Sequence, residues 1–220
     1  VIAMLIDREK IVTNLLLGYG DPLYGPILPL HFAYDANHKE QTVDLAAARQ
    51  LLVEAGHEKV ELTLIYNVGN IVRENVAFLL KEEAAKVGIK VEISLLEWEA
   101  FLTAVNEGDY DLAIFGRGVE ADPDMTFHWH SESPGNSLGY KNKEVDALIE
   151  EAVATSEQSE RTQLYREAEK LIAADTPAVW LYARQAVHAT TARLEHFVPH
   201  PESLFYNVHQ WTLTTEEETP

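Results

Sequence analysis

The stretch KVELTLIYNVGNIVRENVAFLLKEEAAKVGIKVEISLLEW, residues 59–98, decides the fold of this chain. Apolar residues alternate with polar ones over 60–64 and again over 91–95, which is typical of β-strands. Between them, apolar residues recur at the helical period over 72–87, and Gly88 ends the pattern. Strand, helix and strand in this order predict a βαβ unit, in which a crossover helix joins two parallel strands.

The neighbouring segments extend this unit. Residues 99–108, EAFLTAVNEG, predict a second helix, and residues 109–116, DYDLAIFG, predict a third parallel strand. We therefore expect an α/β fold with a mostly parallel sheet and crossover helices. Further helices are predicted over 8–18, 42–56, 142–156 and 159–177, and a fourth strand over 178–191.

The composition limits the possible classes of function. The chain has 220 residues, 46% of them hydrophobic, which is enough for one large domain or two small ones. Its formal net charge of −19 disfavours nucleic acid and anionic membrane surfaces as partners. It has no cysteine, which excludes disulfides and thiolate sites, and no apolar run approaches the roughly 20 residues of a membrane span. Its start lacks a methionine and a signal-peptide pattern, so we expect a piece of a longer protein.

Polar and aromatic residues crowd the stretch GRGVEADPDMTFHWHSESPGNSLGY, residues 116–140, which follows the third predicted strand. Ligands of parallel sheets collect beyond the carboxyl ends of the strands, where this stretch begins. Three interpretations of the stretch are a metal site, a hydrolytic centre and the wall of a binding cleft.

A metal site would use His128, His130 and Glu132. If this segment is a strand, the two histidines share a face and could both reach one ion. The spacing matches no strong metal-binding signature, however, so the sequence predicts no metal site.

A hydrolytic centre would use Glu120, Asp122 and Asp124 as paired carboxylates. Nothing in the sequence marks a nucleophile, and Asp122 is equally suited to cap a helix that starts at Pro123. The sequence therefore predicts that the protein is not an enzyme, with no catalytic residue and no cofactor.

The binding-cleft interpretation needs only side chains that the stretch contains. Aromatic rings offer flat apolar area, charged groups offer ion-pair partners for a zwitterionic solute, and an amide offers hydrogen bonds. Phe127 is expected in the core rather than the cleft, and Trp129 is equally suited to either place. The candidate residues of the stretch are Arg117, Glu120, Asp122, Trp129, Asn136 and Tyr140.

Seven segments, in their order along the chain, resemble one known family. They are AMLIDREKIV, GPILP, AAARQLLVEAG, LTLIYN, NVAFLLKEEAAKVGIKVEISLLEWEAF, GDYDLAIFGRGVEADPD and the run from GYKNKEVDALIEEA to ADTPAVWLY. Together they resemble the family 5 extracellular solute-binding proteins, the oligopeptide and dipeptide receptors of ABC importers. The resemblance extends over about residues 1–211.

The resemblance implies that the chain is the C-terminal half of a two-lobed clamp about twice as long. Residues 1–195 would form a periplasmic-binding-protein type of lobe, and residues 196–220 a return segment that packs on the missing N-terminal lobe. A solute would bridge the two lobes without chemistry, and the closed form would dock on ABC permease subunits. The implied location is periplasmic or extracellular, with a lipid anchor possible through the missing N-terminal segment.

The resemblance also implies roles for individual residues. In peptide receptors an acid in the loop after the third strand pairs with the peptide's α-amino group; Asp122 and Glu120 are the candidates, with Asp122 favoured. Arg117 stands where family members often have tryptophan. Dipeptide receptors place an arginine after the LTLIYN-like strand, whereas this chain has Tyr66 and Asn67, which we expect to contact solute. An oligopeptide or dipeptide is the expected solute, with a nickel chelate, an oligosaccharide or a metal-dependent hydrolase activity as alternatives.

Overall fold

The computed structural model describes residues 1–38, 43–57, 59–118, 120–201 and 203–214. Short 3-10 helices cover Ile2–Leu5 and Val208–Gln210, and a π-helical segment covers Ile11–Leu15. None of the helices in the described ranges is long and apolar enough to cross a membrane. The strands are β1 Gly20–Pro22, β2 Val60–Asn67, β3 Ile89–Leu96, β4 Leu112–Ala113, β5 Tyr182–Arg184, β6 Leu194–Glu195 and β7 Thr212–Leu213. The α-helices are α1 Arg8–Lys10, α2 Leu45–Glu54, α3 Ile71–Ala85, α4 Trp98–Glu107, α5 Thr126–Trp129, α6 Lys143–Ala154 and α7 Gln158–Asp175.

A parallel sheet of order β3-β2-β4 forms the centre of the fold. Val60 lies opposite Ile89 and Asn67 lies opposite Leu96, so β2 and β3 pair along their full length. The crossover helix α3 connects them and buries its apolar face against the sheet. The βαβ unit predicted over 59–98 and the α/β fold class are confirmed.

The third strand is shorter than the sequence predicts. β4 pairs with β2 in parallel only through Leu112 and Ala113, instead of over 109–116. At its start, the carboxylate of Asp111 accepts the N–H of Thr63 at 2.7 Å, a bond that a backbone carbonyl would accept in a longer ladder. The chain leaves the sheet soon after β4, so the residues that follow are available to line a cleft.

The predicted fourth strand forms only in part, and outside the parallel sheet. Of the residues 178–191, only β5 pairs as a strand, and it pairs antiparallel with β1, Gly20 opposite Arg184. The approach is close because β1 begins with a glycine: a Cβ on Gly20 would lie 2.9 Å from the carbonyl oxygen of Ala183. β6 and β7 form another antiparallel pair.

Two hydrophobic cores meet at the segment 178–182. The first packs α3 against the parallel sheet, and the second packs α6 against α7. Ala178 and Trp180 contact the second core, whereas Val179 and Leu181 contact the first. Because alternate residues of this segment pack against the two cores, the segment connects the α6–α7 pair to the parallel sheet.

The first predicted helix is irregular. Asp7 caps it as predicted, because its carboxylate accepts the N–H of Lys10 at 3.0 Å. The helix expected over 8–18 consists instead of α1 followed by the π-helical segment, where the N–H of Leu16 donates to the carbonyl of Ile11 at 3.2 Å.

The C-terminal part of the described chain exposes apolar side chains. Phe205 is 66% exposed and Tyr206 is 60% exposed. No described residue after Tyr182 belongs to the hydrophobic cores of the described chain. Ring contacts hold this tail together, such as the one between Phe197 and Trp211 with centroids 5.4 Å apart.

Candidate functional site

A cleft of about 1700 Å³ opens at one edge of the parallel sheet, where β4 ends and α3 begins. The residues after β4 form one wall, the start of α3 contributes to a second, and the segment that contains β5 contributes to a third. The sequence-predicted stretch 116–140 therefore begins at this cleft, as expected for a parallel sheet. Side chains that line the cleft include Arg73, Phe115, Arg117, Glu120, Asp122 and His128.

Arg73 lies beside the predicted residue Asn67, at the carboxyl end of β2. The side-chain oxygen of Asn67 accepts a hydrogen bond from Nη1 of Arg73. The guanidinium carbon of Arg73 lies 5.8 Å from the centroid of the Phe115 ring. A Cβ on Gly116 would lie 2.9 Å from Nη2 of Arg73, so the glycine lets the guanidinium approach the backbone. Burial lowers the pKa of Arg73, which remains a cation at neutral pH.

Sequence reasoning missed Arg73. It predicted a solute contact for the neighbouring Asn67, which is not among the residues that line the cleft. The signal was the position of the arginine in the first turn of the helix that follows β2. Asn70 caps this helix by accepting the N–H of Arg73 at 3.1 Å, which starts α3 at the strand end. A polar residue in that turn lies at the same edge of the sheet as the strand end itself.

Arg117 contacts the same aromatic ring. Its guanidinium carbon lies 5.7 Å from the centroid of Phe115. Nη1 of Arg117 donates to Nδ1 of His128, and Nη2 donates to the Ser137 hydroxyl at 3.0 Å. A longer bond joins Nη1 to the carbonyl of Gly135 at 3.4 Å. Arg117 therefore connects the end of the sheet to the loop after α5 through neutral partners.

The charge of Arg117 affects the neighbouring histidine. Much of the Arg117 residue reaches solvent, but its guanidinium lies among neighbours, and this burial lowers its pKa. Burial and the charge of Arg117 lower the pKa of His128, so the imidazole is neutral at pH 7. Because a guanidinium only donates, Nδ1 of His128 is the acceptor of the bond between them.

Asp122, the acid favoured from the sequence, already has a cationic partner. Its Oδ1 accepts a hydrogen bond from Nη2 of Arg161 at 2.8 Å, and this bond raises the pKa of Arg161. The alternative role of Asp122, as the cap of a helix starting at Pro123, does not match the structure. α5 begins at Thr126, and the carboxylate of Asp124 accepts that residue's N–H at 2.8 Å.

Glu120 differs from Asp122 because its carboxylate is free. Within the described residues, the Glu120 side chain makes no hydrogen bond or ion pair. Its backbone carbonyl accepts a hydrogen bond from Nε2 of His31 at 2.9 Å. Nδ1 of His31 accepts the N–H of Leu28 at 3.1 Å, which leaves the ring proton on Nε2. Glu120 is therefore held by its backbone and exposes its carboxylate at the cleft.

Asn136 and Tyr140 have partners inside the protein. Tyr140 is 9% exposed, and its hydroxyl donates to Oδ2 of Asp175 at 2.6 Å. Burial raises the pKa of Tyr140. The Asn136 side chain accepts the N–H of Tyr140 at 3.1 Å and donates to its carbonyl at 2.7 Å. Both side chains are therefore hydrogen-bonded inside the protein without a solute, and neither lines the cleft.

The aromatic candidates divide between core and surface. Tyr66 is 3% exposed and belongs to the core of the parallel sheet, which leaves almost none of its surface for a solute. Trp129 is 7% exposed, and its ring centroid lies 5.7 Å from that of Trp180, although it also contributes to the cleft lining. Phe127 is 59% exposed and lines the cleft, so its predicted place in the core is wrong.

The structure separates the two histidines of the metal interpretation. Residues 126–129 are helical rather than extended, so His128 and His130 do not share a face. His128 contacts Arg117, whereas Nε2 of His130 lies 3.1 Å from the Glu150 carboxylate. Among the described residues, no three His, Cys, Asp or Glu side chains are placed to hold a metal ion. The metal-dependent hydrolase interpretation therefore loses its geometric basis.

The fold and the cleft together define the class of protein. An α/β lobe whose parallel strands end at an open cleft, followed by a C-terminal segment outside its cores, is a lobe of the periplasmic-binding-protein fold. The chain belongs to the bacterial extracellular solute-binding proteins, family 5 Middle, whose family model matches residues 2–139. The family resemblance of the seven sequence segments is confirmed.

Individual relatives agree with this family. The oligopeptide-binding protein AppA of Bacillus subtilis (strain 168) is 31% identical over 228 residues, covering 94% of this chain and 42% of AppA. The probable D,D-dipeptide-binding periplasmic protein DdpA of Escherichia coli (strain K12) is 30% identical, covering 89% of this chain and 39% of DdpA. The structure of Bacillus subtilis AppA in complex with a nonapeptide has a TM-score of 0.82 at 28% identity, covering 97% of this chain and 46% of AppA. The chain thus spans less than half the length of these relatives, whose names describe binding proteins.

Proposed function

We propose that this chain is part of the solute-binding component of an ABC importer and that its solutes are peptides. Two observations support the proposal: relatives that bind oligopeptides and dipeptides, and a cleft at the strand ends. The observation that carries it is Arg73, which lines the cleft and has no carboxylate partner among the described residues. In a chain with 36 acidic residues and 17 Lys and Arg, such a cation indicates an anionic group on the solute.

Arg73 would bind the carboxyl end of the peptide. Asn67 fixes one N–H of its guanidinium, and the remaining donors can form paired hydrogen bonds with a carboxylate. Asn67 stands where dipeptide receptors have an arginine, so Arg73 would supply the missing charge from the following helix. A charged anchor of this kind favours a peptide over a neutral oligosaccharide.

Glu120 would bind the amino end of the peptide. Its carboxylate lies at the cleft with no partner among the described residues, whereas Asp122 is paired with Arg161. A peptide ammonium group would have to compete with Arg161 for Asp122, and it gains a full new ion pair at Glu120. We therefore assign the amino-end contact to Glu120 and a structural role to Asp122.

The organisation of the whole protein follows from the same proposal. Residues 1–195 would form its C-terminal lobe, and residues 196–220 would pack on an N-terminal lobe outside this chain. The exposed rings of Phe205 and Tyr206 support this, because apolar side chains of that size normally find a covering surface. The protein would act in the periplasm or outside the cell, with ABC permease subunits as partners; the family is described as extracellular and DdpA as periplasmic. The lipid anchor stays a prediction.

Tight binding should require both lobes, because the chain supplies only one side of the clamp, so the chain alone should bind only weakly. Calorimetric titration of the 220-residue chain with a panel of short alanine peptides should show no submicromolar Kd. The longer product of the same gene, titrated in the same way, should bind at least one of these peptides in the micromolar range or better. Submicromolar binding by the 220-residue chain, or an absence of binding by the longer protein, would contradict the proposal.

A further inference from the structure

Two arginines in the cleft share one aromatic ring. The guanidinium carbons of Arg73 and Arg117 lie 5.8 and 5.7 Å from the centroid of Phe115, so their separation cannot exceed the sum of these distances. Both side chains line the cleft. Two like charges at such a separation repel each other, and the aromatic ring offsets this only in part. A solute with two carboxylates, one for each guanidinium, would offset the repulsion.

The partners of Arg117 hold the guanidinium without neutralising it. It donates to an imidazole, a hydroxyl and a backbone carbonyl, those of His128, Ser137 and Gly135. Within the described residues, no carboxylate pairs with Arg117 or Arg73, whereas the cleft residue Asp122 pairs with Arg161. An oriented cation with neutral partners is the arrangement that leaves the most charge available to a ligand.

We propose that Arg117 forms a second anion subsite beside Arg73, so that the cleft prefers peptides with an acidic side chain over neutral ones. This inference rests on the proposed function: Arg73 binds the carboxyl end, and Arg117 binds a second carboxylate. The bond from Arg117 to Gly135 is the longest of its bonds, at 3.4 Å, and can be exchanged for a bond to the solute. The bond to Ser137 then keeps the guanidinium in place.

The test compares two peptides that differ only in one carboxylate. Ala-Glu-Ala and Ala-Gln-Ala are titrated separately into the 220-residue chain, and NMR of the arginine Nε–Hε groups reports the Kd of each. The Kd of Ala-Glu-Ala should be about threefold lower, which is the size expected for an ion pair in an open cleft. R117Q should make the two values equal, and R117K should retain part of the difference. R49Q, the same change outside the cleft, should retain the full difference.

The outcomes separate this inference from the proposed function. If both peptides bind the unaltered chain equally, peptide binding stands and the second subsite is refuted. If R117Q weakens both peptides alike and the difference persists, Arg117 only positions the loop after α5, and the subsite is likewise refuted. Glutarate, a plain dianion, is the third probe. If glutarate shifts the Arg73 and Arg117 signals while neither peptide binds, the subsite stands and the peptide assignment fails. If no probe binds the 220-residue chain, the subsite is refuted, and titration of the longer protein decides the peptide assignment separately.

Discussion

Replacing Asp122 with asparagine should destabilise the protein, whereas replacing Glu120 with glutamine should not. Oδ1 of Asp122 lies 2.8 Å from Nη2 of Arg161, and the two side chains are 47% and 21% exposed. Because solvent screens a pair that is this exposed, its contribution to the free energy of unfolding is about 1 kcal/mol or less. Arg161 also donates to the carbonyl of Ala152 at 3.1 Å and keeps that bond in the variant, which prevents a larger loss.

Urea unfolding followed by circular dichroism measures this difference. With an m-value of about 2 kcal/mol per M, a loss of about 1 kcal/mol lowers the midpoint by about 0.5 M. D109N is the matched control, since Asp109 is exposed and its side chain has no hydrogen bond among the described residues. The midpoints of D109N and E120Q should stay close to that of the unaltered chain. A lowered midpoint in E120Q with an unchanged one in D122N would refute the structural role of Asp122.

The same two variants should behave in the opposite way in peptide binding. In the longer protein, E120Q should raise the Kd of a peptide with a free amino end by about tenfold, because a closed cleft strengthens each ion pair. For an N-acetylated peptide of the same sequence, the Kd should be the same in E120Q as in the unaltered protein. D122N should leave the Kd of both peptides within about twofold. The reverse pattern would return the amino-end contact to Asp122.

Further predictions concern stability. The Tyr140 hydroxyl donates to the Asp175 carboxylate and lowers the pKa of that carboxyl. This hydrogen bond therefore stabilises the fold above the ordinary aspartate pKa of 3.8, and the stabilisation is lost as the pH falls through the lowered pKa. Y140F should therefore reduce the urea midpoint at pH 7 and reduce it less at pH 3; an equal loss at both would contradict the assignment. Phe101 is fully buried against Ile65 and Val105, so F101A should cost about 3–5 kcal/mol in urea unfolding. Phe78 is 50% exposed, and F78A should cost far less.

The parallel unit could be predicted because each of its elements carries its own periodicity. β2, β3 and α3 show alternating or helical apolar patterns, and their order alone fixes a parallel crossover. β1 could not be predicted, because Gly20–Pro22 has no strand pattern and pairs with β5 far along the chain. Its strand character comes from that tertiary contact, which local propensity does not contain.

The position of the cleft could be predicted, but the partners of its side chains could not. The order of strands placed Arg117 and Glu120 at the sheet edge. The sequence alone could not show that Asp122 pairs with Arg161, because Arg161 lies 39 positions away on α7. The spacing of His128 and His130 fits a strand on its own, and packing of the short helix α5 decided otherwise.

The central claim is that the cleft binds the carboxyl end of a peptide through Arg73. Its most direct test is calorimetric titration of the proposed two-lobed protein and its R73Q variant with the alanine peptide that binds best. If Arg73 binds the carboxyl end, the Kd of R73Q should be at least about 30-fold higher, because one partner of a closed ion pair is removed. K143Q removes a cation that is exposed on α6, outside the cleft, and should leave the Kd within about twofold. An unchanged Kd in R73Q would contradict the account.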